Sequence, residues 1–109
     1  MANVERIRQA LALVRDGDGF AAHEVLEDLW RGAPDAERDL YQGLVHVAVA
    51  TYQETRGNAV GRRRQLEKAQ RRLTAYEPAY EGLDIAALRA WCAASLAAER
   101  CPPLPVDAT

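Results

Sequence analysis

The stretch from Ala36 to Arg56 limits what this chain can fold into more than any other. Leu40, Tyr41, Leu44, Val45, Val47, Ala48, Val49, Thr51 and Tyr52 recur at helical spacing. At about 100° per residue they cover more than half the circumference of one helix. A helix apolar over so much of its surface has to be flanked by other helices on several sides, at the middle of a bundle. Only a stripe of Gln42, His46 and Gln53 interrupts the apolar surface, and Gly43 lets another helix come close.

The rest of the chain supplies those neighbours. Asn3 suits the N-cap of a first helix running to about Arg15, with Val4, Ile7, Leu11 and Val14 on one face. Asp16-Gly17-Asp18-Gly19 stops it, and Asp18 caps a second helix that runs to about Arg31. Gly32-Ala33-Pro34-Asp35 breaks that helix and caps the third, with Glu37 and Asp39 suiting its positive end. Arg56-Gly57-Asn58 ends the third helix and caps a fourth, running to about Ala75. There Leu66, Ala69 and Leu73 point inward, while Arg64, Lys68, Arg71 and Arg72 form an outward basic face. A loop around Pro78 leads to a fifth helix capped by Asp84, with Ile85, Leu88, Trp91 or Cys92, and Leu96 towards the core. Pro102-Pro103-Leu104-Pro105 opens an extended tail. The expectation is an all-α fold: one domain over residues 1–101, an antiparallel array of four or five helices, with residues 102–109 as a tail.

Composition excludes several classes. The chain has 109 residues, enough for one core and one domain. No secretory leader follows Met1, and the longest weakly polar run, Leu40 to Tyr52, is too short to span a bilayer. Cys92 and Cys101 have neither metal nor redox spacing. A cytoplasmic protein with reduced thiols, apart from membranes, is expected. The net charge of −2 gives little reason to expect nucleic acid. The charge is unevenly placed, however. Asp16 to Asp39 holds eight acids against two arginines, and Arg56 to Arg72 holds seven bases against Glu67 alone. These segments attract each other, within one chain or between two.

Potential chemistry is concentrated in the second helix. His23, Glu27 and Trp30 share a flank there, whereas Glu24 and Asp28 point outward. H-E-V-L-E at 23–27 is the zinc-protease pattern H-E-x-x-H with Glu in the last place. On that pattern a divalent metal would take His23 and Glu27, with His46 or Gln42 from the third helix. The competing reading is a hydrogen-bonded polar cluster, with Glu27 held by an arginine from helix four or the Arg56 turn.

H-E-V-L-E-D-L-W at 23–30, L-Y-Q-G at 40–43, G-N-A-V-G at 57–61 and G-L-D at 82–84 together resemble a small all-helical prokaryotic family, a domain of unknown function (DUF 309). Its pattern falls on His23, Glu24, Glu27, Trp30, Gln42, Gly43, Gly57, Asn58 and Gly61. Arg62 stands where a small residue is expected. The resemblance implies a compact helical fold and carries no reaction with it.

The functional expectation is therefore a non-catalytic intracellular interaction or adaptor module, with no required cofactor. Its polar groove lies between helices two and three, around His23, Glu24, Glu27, Trp30, Gln42 and Asn58. Its partner is a protein or a second copy. The alternative is a metal-dependent hydrolase-like enzyme using His23, Glu27 and His46. A third reading has the Arg64, Lys68, Arg71 and Arg72 face tracking nucleic-acid phosphates.

Overall fold

Two nearly identical junctions shape the first four helices. In the computed structural model, which describes residues 3–105, α1 (Val4–Arg15) is followed by α2 (Gly19–Arg31), and α3 (Asp35–Thr55) by α4 (Ala59–Leu73). At the end of α1, Gly17 has φ +92, its N–H donates to the Val14 carbonyl, and Asp18 N–H donates to Leu13. Gly57, at φ +72, ends α3 in the same way, with Gly57 bonded to Glu54 and Asn58 to Gln53. Each is a Schellman stop, which needs a left-handed residue that glycine supplies without a Cβ clash. The next residue then caps the following helix. Asp18 accepts from Ala21 N–H at 3.1 Å, and Asn58 from Gly61 N–H at 2.9 Å. Three residues thus stop one helix and start another.

A 3-10 turn at Thr74–Tyr76 extends α4, and after a loop Asp84 caps α5 (Ile85–Ala98) by accepting from Ala87 N–H at 2.9 Å. No strand occurs among the described residues, apart from an isolated pairing of Tyr80 with Leu83. Cross-contacts fix the directions. Gly19 sits against Ala48 and Tyr52 while Trp30 meets Arg38, so α2 runs antiparallel to α3. Asp39 meets Arg72 and His46 meets Gln65, so α4 runs antiparallel to α3. Arg6 with Asp28, and Gln70 with Arg89, set α1 against α2 and α4 against α5.

The widely apolar helix lies where its surface requires, with α2 on one side and α4 on the other. Leu40, Leu44, Val47, Ala48 and Ala50 of α3 are fully buried with Ile7, Leu11, Leu26, Leu66, Leu73 and Leu88. Burying each large aliphatic side chain contributes about 1.5–3 kcal/mol. Gly43 allows the α3–α4 approach, since a Cβ there would lie 2.7 Å from Leu73.

Some local expectations need correction. Asn3 precedes α1 but its side chain makes no cap bond; its backbone N–H instead donates to the Tyr41 hydroxyl at 3.1 Å. Pro34 holds the cap position of α3 with extended backbone, and Asp35 begins the helix, where its charge suits the positive end. Arg62, expected to be small, is buried, and its guanidinium donates to the Glu99 carbonyl just past α5. A cation there satisfies a carbonyl at the negative end of a helix. The start of the tail packs against the bundle: Trp91 Nε1 donates to the Pro102 carbonyl at 2.8 Å, and Leu104 is buried. Residues 106–109 of the expected tail lie outside the described residues.

Candidate functional site

The expected polar groove between helices two and three is not the one the fold makes. The hollow on that side, about 170 Å³, is lined by Gly19, Phe20, His23, Val49, Tyr52 and Gln53 and is mostly apolar. Phe20 stacks at a tilt on both His23 and Tyr52, with ring centroids 5.1 and 5.5 Å apart. His23 Nδ1 is bonded to the Phe20 carbonyl, one turn back, at 2.8 Å. Its Nε2 lies 3.6 Å from Glu27. The Glu27 carboxylate is shared with Arg31 of the same helix at 3.7 Å, so its arginine comes from neither helix four nor the Arg56 turn. Spacing of four residues places Glu27 and Arg31 together without any tertiary contact.

The other second-helix candidates separate. Trp30 lies under the Arg38 guanidinium, 4.4 Å from the ring centroid, and its indole N–H has no acceptor among the described residues. Glu24 is exposed. Asn58 belongs to the α3–α4 junction, where besides capping it donates to Gln53 at 3.1 Å. His46 is bonded through Nδ1 to Gln65 of α4 at 2.7 Å, and Gln42 lines a cavity on that side too. His23 and His46 therefore line different hollows. Among the described residues no three His, Cys, Asp or Glu side chains gather to hold a metal ion.

The polar cleft lies between α3 and α4. Asp39, Gln42 and His46 of α3 face Lys68, Arg71 and Arg72 of α4 across an open cavity of about 440 Å³. Two matching stripes build it: 39, 42 and 46 on α3, and 65, 68 and 72 on α4, each at steps of three and then four. Antiparallel packing joins their ends, Asp39 to Arg72 at 2.7 Å and His46 to Gln65 at 2.7 Å. Burial pushes the His46 imidazole below its ordinary value of 6.5. Lys68, Arg72 and Arg71 push the same way, against the hydrogen bond to Gln65. The ring is therefore neutral at pH 7, and the cationic character of the cleft comes from α4.

Three of the four basic-face residues thus rim the cleft, whereas Arg64 is exposed and does not line it. Asp39–Arg72 joins the acidic and basic segments within one chain. Other acids have nearer partners: Asp28 takes Arg6, and buried Glu37 accepts from the Tyr80 hydroxyl at 2.9 Å. That bond pushes Tyr80 up to about 12. The two thiols are held in their protonated form. Burial pushes both Cys92 and Cys101 up to about 12, and Glu54 adds to the effect at Cys101. Asp39 and Gln65 are absent from the sequence candidates; the repeated 0, 3, 7 spacing on two consecutive helices is the sequence signal that could have found them.

Comparison with known proteins agrees with the fold's most specific segments. Over 69 residues the chain is 36% identical to "Uncharacterized protein YpuF" of Bacillus subtilis (strain 168). That stretch is 62% of this chain and 40% of the relative's length. No solved structure matches. The profile of a family described as a domain of unknown function (DUF309) matches residues 7–65. This takes in the second-helix motif, Leu40 to Gly43 and both helix-stopping junctions, and stops short of Lys68. With more than half its length matched, the chain belongs to the DUF309 family.

Proposed function

We propose that this protein is a non-catalytic interaction module that docks an acidic partner segment in the α3–α4 cleft. One observation carries the reading: Lys68 and Arg71 stand over an open cavity with no ion pair to an acid of this chain among the described residues. Lysine and arginine side chains around a concave polar site raise the local concentration of anions and orient them by charge-assisted hydrogen bonds. Nothing in the cleft is arranged as a nucleophile with its base. The hydrolase reading draws support only from the His23–Glu27 pair, where Arg31 competes for the same carboxylate oxygen.

The test uses a fluorescein-labelled hexaglutamate peptide and fluorescence anisotropy at low salt. The full chain is expected to bind it, and a Lys68→Glu/Arg71→Glu variant to lose at least about tenfold in affinity. Both positions are exposed, so circular dichroism should show an unchanged fold. Equal binding by the charge-reversed variant would remove the cleft as the docking site.

A further inference from the structure

The charge balance of the cleft narrows what it can hold. Lys68, Arg71 and Arg72 bring three permanent cations against the single carboxylate of Asp39. With His46 neutral, the surplus is two positive charges. Arg72 directs Nη1 to Asp39 at 2.7 Å, which fixes the guanidinium at the cleft wall and leaves its other nitrogens for a ligand. One carboxylate of a partner would compensate only half the surplus. A phosphate monoester carries about −1.5 to −2 at pH 7 and offers three strong acceptor oxygens, matching both the surplus charge and the three cationic side chains. Among the described residues no Phe, Tyr or Trp lines the cleft, and the one ring there, His46, is tied to Gln65, so the cleft offers no broad platform for a nucleobase.

We propose that the α3–α4 cleft is a receptor for a dianionic phosphate monoester, held by Lys68 and Arg71, with Arg72 positioned by Asp39. This rests on the reading of the cleft as the docking site, and it places the phosphoryl group on a side chain of the partner segment. Gln42 and His46, the latter tied to Gln65 of α4, close the α3 side with uncharged polar groups that neither repel the dianion nor add to the surplus. Arg64 lies outside this arrangement, which separates a localised site from a helix face that merely follows phosphates.

Isothermal titration of the full chain at low salt tests this with four probes. They are a short glycine-alanine peptide carrying phosphoserine, its serine and glutamate counterparts, and free O-phosphoserine. The phosphoserine peptide is expected to bind at least about tenfold more tightly than the glutamate peptide, with the serine peptide silent. Arg71→Ala should weaken it about tenfold and Arg64→Ala leave it unchanged. Equal binding of glutamate and phosphoserine peptides would overturn the phosphoryl assignment while leaving an acidic docking site. Failure of all three peptides would overturn the phosphoryl site; failure of hexaglutamate as well would overturn the docking reading. Free O-phosphoserine binding as tightly as its peptide would uphold the phosphoryl site and overturn its placement on a protein partner. Equal losses in Arg64→Ala and Arg71→Ala would mean a diffuse field and would overturn the localised site.

Discussion

Gly19→Ala should destabilise the protein by about 2 kcal/mol, although alanine is the better helix former. A Cβ at Gly19 would lie 2.6 Å from the Ala48 carbonyl oxygen and 2.6 Å from Thr51 Oγ1, with Tyr52 N at 3.2 Å. The two nearest atoms are hydrogen-bonded to each other at 2.8 Å, so neither moves aside without breaking that bond. Two of the three contacts are backbone, and relief therefore requires moving α2 from α3. Overpacking of this kind costs about 1–3 kcal/mol, and alanine's helix propensity returns at most about 1 kcal/mol. The middle-to-upper part of that range applies because Gly19 is the first residue of α2, where propensity counts least. For a domain of this size the change lowers Tm by roughly 10 °C. The control is Gly32→Ala, where a Cβ meets nothing within 4 Å and φ is −97. Thermal unfolding followed by circular dichroism at 222 nm measures both. If the two variants melt within about 2 °C of each other, the close approach of α2 to α3 at Gly19 is wrong.

Two further outcomes follow from the junction and the cleft. Asn58→Ala removes the cap on Gly61 N–H and should lower stability by about 1 kcal/mol, while Asn58→Asp keeps the acceptor and stays within about 0.5 kcal/mol; urea midpoints distinguish them. The His46 ring, held below 6.5 by burial, is unprotonated in both the folded and unfolded chain at pH 7.5, so its titration does not affect stability there. Below pH 6.5 the unfolded chain takes up a proton that the folded ring resists, so stability falls until that ring titrates as well. Urea unfolding at pH 7.5 and 5.5 should show this loss, and His46→Gln should reduce it; an unchanged loss would assign it to other groups.

The sequence makes the helices, their order and much of their capping legible, because these depend on local chemistry. Gly17 and Gly57 signal left-handed stops, Asp18, Asn58 and Asp84 signal caps, and Gly43 signals a close neighbour. Each expectation concerns residues within one turn or an unavoidable steric demand. The cleft was less legible for a geometric reason. A helical wheel gives the angle of Gln42 and His46 around α3 but not which helix occupies that angle; the sequence suggests helix two, and α4 is there. The basic residues of α4 point outward on their own wheel, yet an edge between core and solvent becomes a cleft wall once α3 lies alongside. Arg62 and Glu37 were illegible for another reason. Burial of a charged side chain depends on one distant partner, the Glu99 carbonyl in one case and the Tyr80 hydroxyl in the other. No local pattern encodes a partner that far along the chain.

The paired junctions have a consequence for how quickly the fold is found. Each stops one helix and starts the next within three residues, so α1 meets α2 and α3 meets α4 with very little chain to close. The main pairings of α3 and α4 are likewise with helices next to them in sequence. Loop-closure entropy stays small at each step, and the topology belongs to the low-contact-order class whose members fold in microseconds to milliseconds. Gly17 and Gly57 therefore act on rate as well as shape. A side chain at either position disfavours the reversal of direction from which each hairpin grows, and the search for the native arrangement slows before any core contact is lost.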